Sequence, residues 1–144
     1  MENYDNLISK IQNNNDVDVN SLNSLSLAFL GDSIHTFFIK NKLIESNDSL
    51  NHKLHKLTKK YVSAKAQSLV LSKLKKEFTE EELAIVKRAR NNKNKTIAKN
   101  ASIRDYNNAT ALEAIIGYLY LKGENERLVC ILKKTWSIIE NDDS

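Results

Sequence analysis

A chain of 144 residues, 41% hydrophobic and 28% charged, is long enough to bury one core and has no apolar run long enough to span a bilayer. Its formal charge of +4 is modest, and its one cysteine, Cys130, excludes an internal disulfide and a cysteine-rich zinc centre. The start, Met1-Glu2-Asn3-Tyr4-Asp5, has neither the basic n-region nor the apolar h-region of a secretory signal, so a cytoplasmic location is expected.

In chain order, Leu22, Leu25, Phe29, Asp32 and Thr36 stand three or four apart and are interleaved with Leu27, Leu30, Ile34, Phe37 and Leu43. This spacing predicts a long helix from about Asn20 to Glu45, apolar over most of its circumference and therefore central. The cluster Ser46-Asn47-Asp48-Ser49 ends it, and Leu50, Leu54, Leu57, Tyr61 and Ala64 mark the buried stripe of a second helical region to about Lys76. Thr79-Glu80-Glu81-Glu82 has the spacing of a capping box and starts a helix through Leu83 and Val86 to about Arg90. Residues 91–99 have no apolar period and are predicted as a loop. A further long helix runs from about Ile103 to Leu121 and is closed by Lys122-Gly123, and Leu128, Ile131, Leu132, Trp136 and Ile139 carry a last amphipathic helix. Proline is absent and glycine occurs only at 31, 117 and 123, which removes the turn vocabulary of hairpins. The expected fold is all-α, in one domain over residues 1–144 with its core at about 20–140 and no repeat, linker or second core.

Two carboxylates stand out. Asp32 closes Leu27-Ala28-Phe29-Leu30-Gly31-Asp32, and Glu113 lies inside Ala109-Thr110-Ala111-Leu112-Glu113-Ala114-Ile115-Ile116-Gly117. An isolated helical Asp or Glu is ordinarily solvated, but neither of these has the charged neighbours of a solvent face. Half-burying a carboxylate is costly without a compensating cation, so the pair points to a shared hard-metal site suited to Mg²⁺ or Mn²⁺. Gly31 and Gly117 sit in helical patterns where glycine costs about 1 kcal/mol relative to alanine. Either that cost is simply tolerated, or close approach of the two helices requires it.

Six basic residues and no acidic ones lie between Lys87 and Lys99, a candidate polyanion contact whose plain alternative is a solvated face. Lys53, His55, Lys56, Lys59 and Lys60 form a second basic patch. His35, one turn from Asp32, is expected to be a hydrogen-bonded bystander rather than a general base. His52 and His55 lack the partners of a metal site, and Cys130 and Trp136 are expected in the core.

The pattern L-x-F-L-G-D followed by x-A-x-x-x-E-A-x-I-G resembles the catalytic domain of ribonuclease III. With Tyr61-Val62-Ser63-Ala64-Lys65-Ala66-Gln67 and Arg88-x-Arg90-Asn91 in between, the chain is most similar to the catalytic-domain-only branch, Mini-ribonuclease III. The resemblance implies a ribonuclease III endonuclease-domain-like helical bundle that cleaves double-stranded RNA with Mg²⁺ (Mn²⁺ as a substitute) and has no separate domain for binding duplexes. It implies Asp32 and Glu113 as catalytic metal ligands, a homodimer with Phe29 at its two-fold interface (ordinary core being the other reading of Phe29), and a role in maturation of the large-subunit ribosomal RNA precursor. Where the larger family has two further acids, this chain has Ala28 and Thr110, a departure the branch shares, leaving waters or substrate oxygens to complete the metal shell. Lys87, Arg88, Arg90, Asn91, Lys93, Lys95 and Lys99 are the implied RNA contacts, although Ala89 stands where related sequences tend to have glycine. A catalytically inactive RNA-binding module is the main alternative, and a plain helical interaction protein a more distant one.

Overall fold

A computed structural model describes residues 11, 18–46, 51–92 and 102–142, and among residues 18–142 of these helix-start and helix-stop chemistry marks out six α-helices. They are α1 (Ser24–Ser46), α2 (Asn51–Val62), α3 (Ala64–Leu74), α4 (Glu80–Arg90), α5 (Ile103–Lys122) and α6 (Asn125–Glu140), with 3-10 turns at Val19–Ser21 and Lys75–Glu77 and no strand among the described residues. The all-α expectation holds.

The predicted helix ends have the expected chemistry. At α4 the capping box forms in full: Glu82 N–H donates to Thr79 Oγ1 at 3.1 Å, and Thr79 N–H donates to Glu82 Oε1 at 3.0 Å. Gly123 adopts the left-handed conformation with φ 76°, while Gly123 N–H reaches Tyr120 O at 3.1 Å and Glu124 N–H reaches Leu119 O at 3.0 Å. That pair of bonds is a Schellman closure, and it needs a residue without a Cβ penalty at φ > 0. The second helical region, predicted as one run, breaks at Ser63, whose hydroxyl accepts from Ala66 N–H at 3.2 Å and starts α3 on a new axis. A strong N-cap inside a helical pattern is a boundary signal that apolar spacing alone does not carry.

The centre of the fold is α5 rather than α1. Every residue of α5 from Asn108 to Leu119 is buried except Glu113, which is half-buried, and α1, α3, α4 and α6 all pack on it. Helix α1 buries Leu27, Ala28, Gly31, His35, Phe38, Ile39 and Leu43 but leaves Phe29, Phe37 and Ile44 79%, 53% and 67% exposed. A helix apolar nearly all round has several faces it could bury, and packing on α5 selects one of them.

Two contacts tie the outer helices to one another. Tyr61 of α2 stacks on Trp136 of α6 with ring centroids 4.4 Å apart and planes within 2°, and its hydroxyl donates to Glu140. Trp136 therefore lies at the edge of the core, and Cys130 is only half-buried. Buried Glu82 accepts two bonds from Arg127, Nε to Oε2 at 2.9 Å and Nη2 to Oε1 at 2.8 Å, which fastens α4 to α6.

Candidate active site at the crossing of two helices

Helices α1 and α5 cross backbone against backbone. A Cβ added to Gly31 would lie 1.7 Å from the carbonyl oxygen of Glu113, and one added to Gly117 would lie 2.1 Å from that of Leu27. Both glycines are therefore required by the approach, not merely tolerated, and the roughly 1 kcal/mol helix penalty at each is the smaller effect. The contact also sets the chemistry. Asp32 follows Gly31 directly, so a crossing centred on Gly31 and Glu113 brings the Asp32 and Glu113 carboxyls within hydrogen-bonding reach of each other.

Their electrostatics are those of two like charges in a poorly solvated place. Burial, then the hydrogen bond and charge of Asp32, push the Glu113 carboxyl up to about 8, opposed only by a hydrogen bond from Gln67. Below that pH the Glu113 carboxyl holds a proton, whose place a divalent cation could take. Asp32 itself is exposed, contrary to the expectation of an apolar surrounding. Glu113 carries the desolvation of the pair.

Ala28 and Thr110, at the two positions that are acidic in the larger family, are buried, and the Thr110 hydroxyl donates to Tyr106 O at 2.9 Å within its own helix. Among the described residues no three His, Cys, Asp or Glu side chains converge on a common point. A cation held here would have two protein carboxylates and an otherwise open shell. That donor set fits Mg²⁺, which keeps several waters and is commonly bound by one or two carboxylates plus phosphate oxygens.

Behind the pair lie two buried polar groups. Gln67 Nε2 is 3.5 Å from Glu113 Oε2 and 3.0 Å from Nδ1 of His35. Burial holds the His35 imidazole down at about 4, so the ring is neutral, consistent with a hydrogen-bonded bystander rather than a base. Gln67 was given no role from sequence, although a signal existed: it falls on the stripe with Val70, Leu71 and Leu74, where a glutamine needs a partner.

The basic segment is only partly described. Lys87 and Asn91 are exposed and Arg90 half-buried at the end of α4, while Lys93, Lys95 and Lys99 lie outside the described residues. Arg88 departs from the expected phosphate contact. Its Nε donates to Ser24 Oγ at 3.0 Å, Nη1 to Asn20 O at 3.2 Å and Nη2 to Leu22 O at 3.1 Å, so the guanidinium pins the entry of α1 to α4. Lys53, His55, Lys56, Lys59 and Lys60 are all exposed on α2. Phe29 is not a core residue; its ring stands in solvent one helical turn from Asp32.

Residues 25–124, from the second residue of α1 through the end of α5, match the family model of the ribonuclease III domain. The chain is 47% identical over 125 residues to a Mini-ribonuclease 3 of Brevibacillus brevis, covering 87% of this chain and 93% of that one. It is 40% identical over 131 residues to a Mini-ribonuclease 3 of Staphylococcus aureus, covering 90% and 98%. The chain belongs to the ribonuclease III family, in its Mini-ribonuclease 3 branch. The crystal structure of a Fusobacterium nucleatum protein superposes with a TM-score of 0.76 at 36% identity, covering 83% of this chain and 96% of that one. The matched region spans both carboxylates, both crossing glycines and the α4 end of the basic segment. The architecture that joins Asp32 to Glu113 is thus the family's own domain.

Proposed function

We propose that this chain is a divalent-metal-dependent endoribonuclease that hydrolyses double-stranded RNA, with Asp32 and Glu113 as its catalytic metal ligands. The single observation that carries this reading is the pair of carboxyls pressed together by the glycine crossing, in a chain that belongs to a ribonuclease family. Mg²⁺, or Mn²⁺ in its place, would polarise the scissile phosphate and favour deprotonation of an attacking water. The chain's residues would do the rest. Glu113, fixed on the buried helix, would hold one side of the cation, and exposed Asp32 the side facing substrate. In the reaction a water oxygen bonds to phosphorus as the bond to the 3′-oxygen breaks, leaving a 5′-phosphate and a 3′-hydroxyl.

Duplex RNA is recognised chiefly through phosphates and 2′-hydroxyls, so cations and amides serve it better than stacking rings. Lys87, Arg90 and Asn91 at the end of α4, with Lys93, Lys95 and Lys99 beyond it, are the proposed contacts. Six α-helices packed around one core among the described residues support a single catalytic domain as the acting unit. Exposed Phe29 supports a homodimer, which would set one active site on each strand. Phe29→Lys should weaken association and cleavage together, and a fully active monomer by sedimentation would refute the dimer. The large-subunit ribosomal RNA precursor and a cytoplasmic location are proposed on family resemblance, and no described helix is long and apolar enough to cross a membrane.

The deciding experiment is cleavage of a long RNA duplex with and without Mg²⁺. Metal-dependent endonucleolytic products support the reading. Binding without cleavage would favour an inactive RNA-binding module, for which the loss of acids at Ala28 and Thr110 is the relevant observation.

A further inference from the structure

Three helices contribute to a buried polar line that ends at the active site: His35 of α1, Gln67 of α3 and Glu113 of α5. His35 and Gln67 are both buried, and His35 Nε2 has no hydrogen-bond partner among the described residues. Polar groups in such places are ordinarily replaced by apolar ones unless they hold something in register.

The hydrogen-bond roles along the line follow from its end. With a cation bound Glu113 is ionised and only accepts, so Gln67 must turn its NH₂ group, not its carbonyl, toward it. The same nitrogen lies 3.0 Å from His35 Nδ1, so that ring nitrogen must accept and the ring proton must sit on Nε2. The flipped amide would set its carbonyl oxygen against the carboxylate, two acceptors together, and His35 with a bare Nδ1 holds the amide the other way. One orientation satisfies both neighbours.

We propose that Gln67, oriented by His35, is a positioning residue that fixes the rotamer of Glu113 and so aims its free oxygen toward Asp32 and the cation between them. The proposal rests on the metal-site reading above and deepens it. Only two carboxylates serve the site, so the alignment of each matters more than in a site with four. Ser63 sets the device up, because its N-cap starts α3 four residues before Gln67 and thereby turns this side chain inward. The Tyr61 to Gln67 segment, singled out in the sequence, thereby acquires a purpose: Tyr61 anchors α2 to α6, Ser63 starts α3, and Gln67 reaches the site.

The test compares the full chain with Gln67→Met, which keeps length and volume but removes the donor. Mn²⁺ binding to RNA-free protein, read by electron paramagnetic resonance, should weaken by about 10- to 100-fold, as expected for loss of an outer-shell partner. Turnover on duplex RNA should fall by a similar factor, with KM changed by less than about twofold. If Gln67→Met does not fold, His35 supplies the answer. His35→Asn can place an acceptor where Nδ1 stands, and it should retain Mn²⁺ affinity that His35→Leu loses. Unchanged Mn²⁺ affinity and turnover in folded Gln67→Met, or equal losses in the two His35 variants, would overturn the proposal. Asp32→Asn, run in parallel, separates the two readings. Full cleavage by that variant overturns the metal site itself, whereas an inactive Asp32→Asn beside an unimpaired Gln67→Met overturns only the positioning role.

Discussion

Glu82 and Glu113 are both glutamates drawn out of solvent, and they are treated in opposite ways. Burial raises both. At Glu82 that rise is outweighed by the two bonds from Arg127 and by the Thr79 N–H, so its carboxyl ends below the usual range. At Glu113 the neighbour is another carboxyl, the Gln67 amide gives the opposing hydrogen bond, and the group rises to about 8. The first site is complete within the protein and serves as a fastening between α4 and α6. The second is incomplete, and the backbone contact at Gly31 and Gly117 keeps Asp32 from moving away to relieve it. A carboxyl left without a cation by a rigid scaffold is the observation behind the proposed metal site.

Exchanging the two roles should give the largest effects. Asp32→Asn and Glu113→Gln should each lower cleavage on the order of 10³-fold or more by removing a metal ligand at nearly constant volume. Folding and duplex binding should be largely unchanged, as measured by thermal unfolding and by RNA binding in calcium. Glu82→Gln should do the reverse, costing about 2–4 kcal/mol of stability. That is toward the low end for a broken buried pair, because Arg127 keeps some solvent. Its turnover per folded molecule should stay near the parent value. A dead but stable Glu82→Gln, or an active Glu113→Gln, would dissolve the contrast.

The crossing itself can be probed next. Gly31→Ala would place a methyl against a main-chain carbonyl that has no rotamer by which to yield, and about 1–3 kcal/mol or more of overpacking should exceed the ~1 kcal/mol gained in helix propensity. Denaturant unfolding gives the first quantity and Mn²⁺ affinity should fall with it. A stabilised Gly31→Ala would mean that the helices can separate freely.

Titration sharpens the same comparison. In metal-free protein the contribution from Glu113, with its folded value above the ordinary 4.5, is full below about 4.5 and is lost as pH rises toward about 8. Glu82, shifted downward, contributes stability above the ordinary carboxylate range and loses it as pH falls. Melting temperature against pH should therefore lose its decline between about 4.5 and 8 in Glu113→Gln and part of its acid decline in Glu82→Gln. Saturating Mg²⁺ should flatten that same decline in the parent.

The smallest effects concern the basic end of α4. Arg88→Ala should cost stability of about 1–2 kcal/mol through its three lost bonds, with little change in the salt dependence of RNA binding. Lys87→Ala should leave stability alone and reduce the slope of log K against log salt by roughly 0.9, by analogy with DNA, if it contacts a phosphate. A reversed outcome, with Arg88 setting the salt slope, would return the guanidinium to the RNA-binding face.

What the sequence by itself determined was whatever depends on neighbours a few residues apart. The Thr79–Glu82 capping box, the closure at Gly123, the helical periods and the absence of proline all act within a turn or two, so spacing encodes them directly. The two acidic motifs were legible for a related reason: a carboxylate amid apolar residues is anomalous wherever the chain goes. Only the tertiary structure decided the rest. Arg127 meets Glu82 across 45 residues, Gln67 meets Glu113 across 46, and Arg88 meets Asn20 across 68. No local pattern selects such partners, because each depends on how helices rotate and cross once their apolar faces are buried. Helix α1, apolar nearly all round, could have turned Phe29 inward and Asp32 elsewhere. The two glycines allowed its backbone to meet α5 at one point, and that contact chose the rotation that put the carboxyls together and left Phe29 outside.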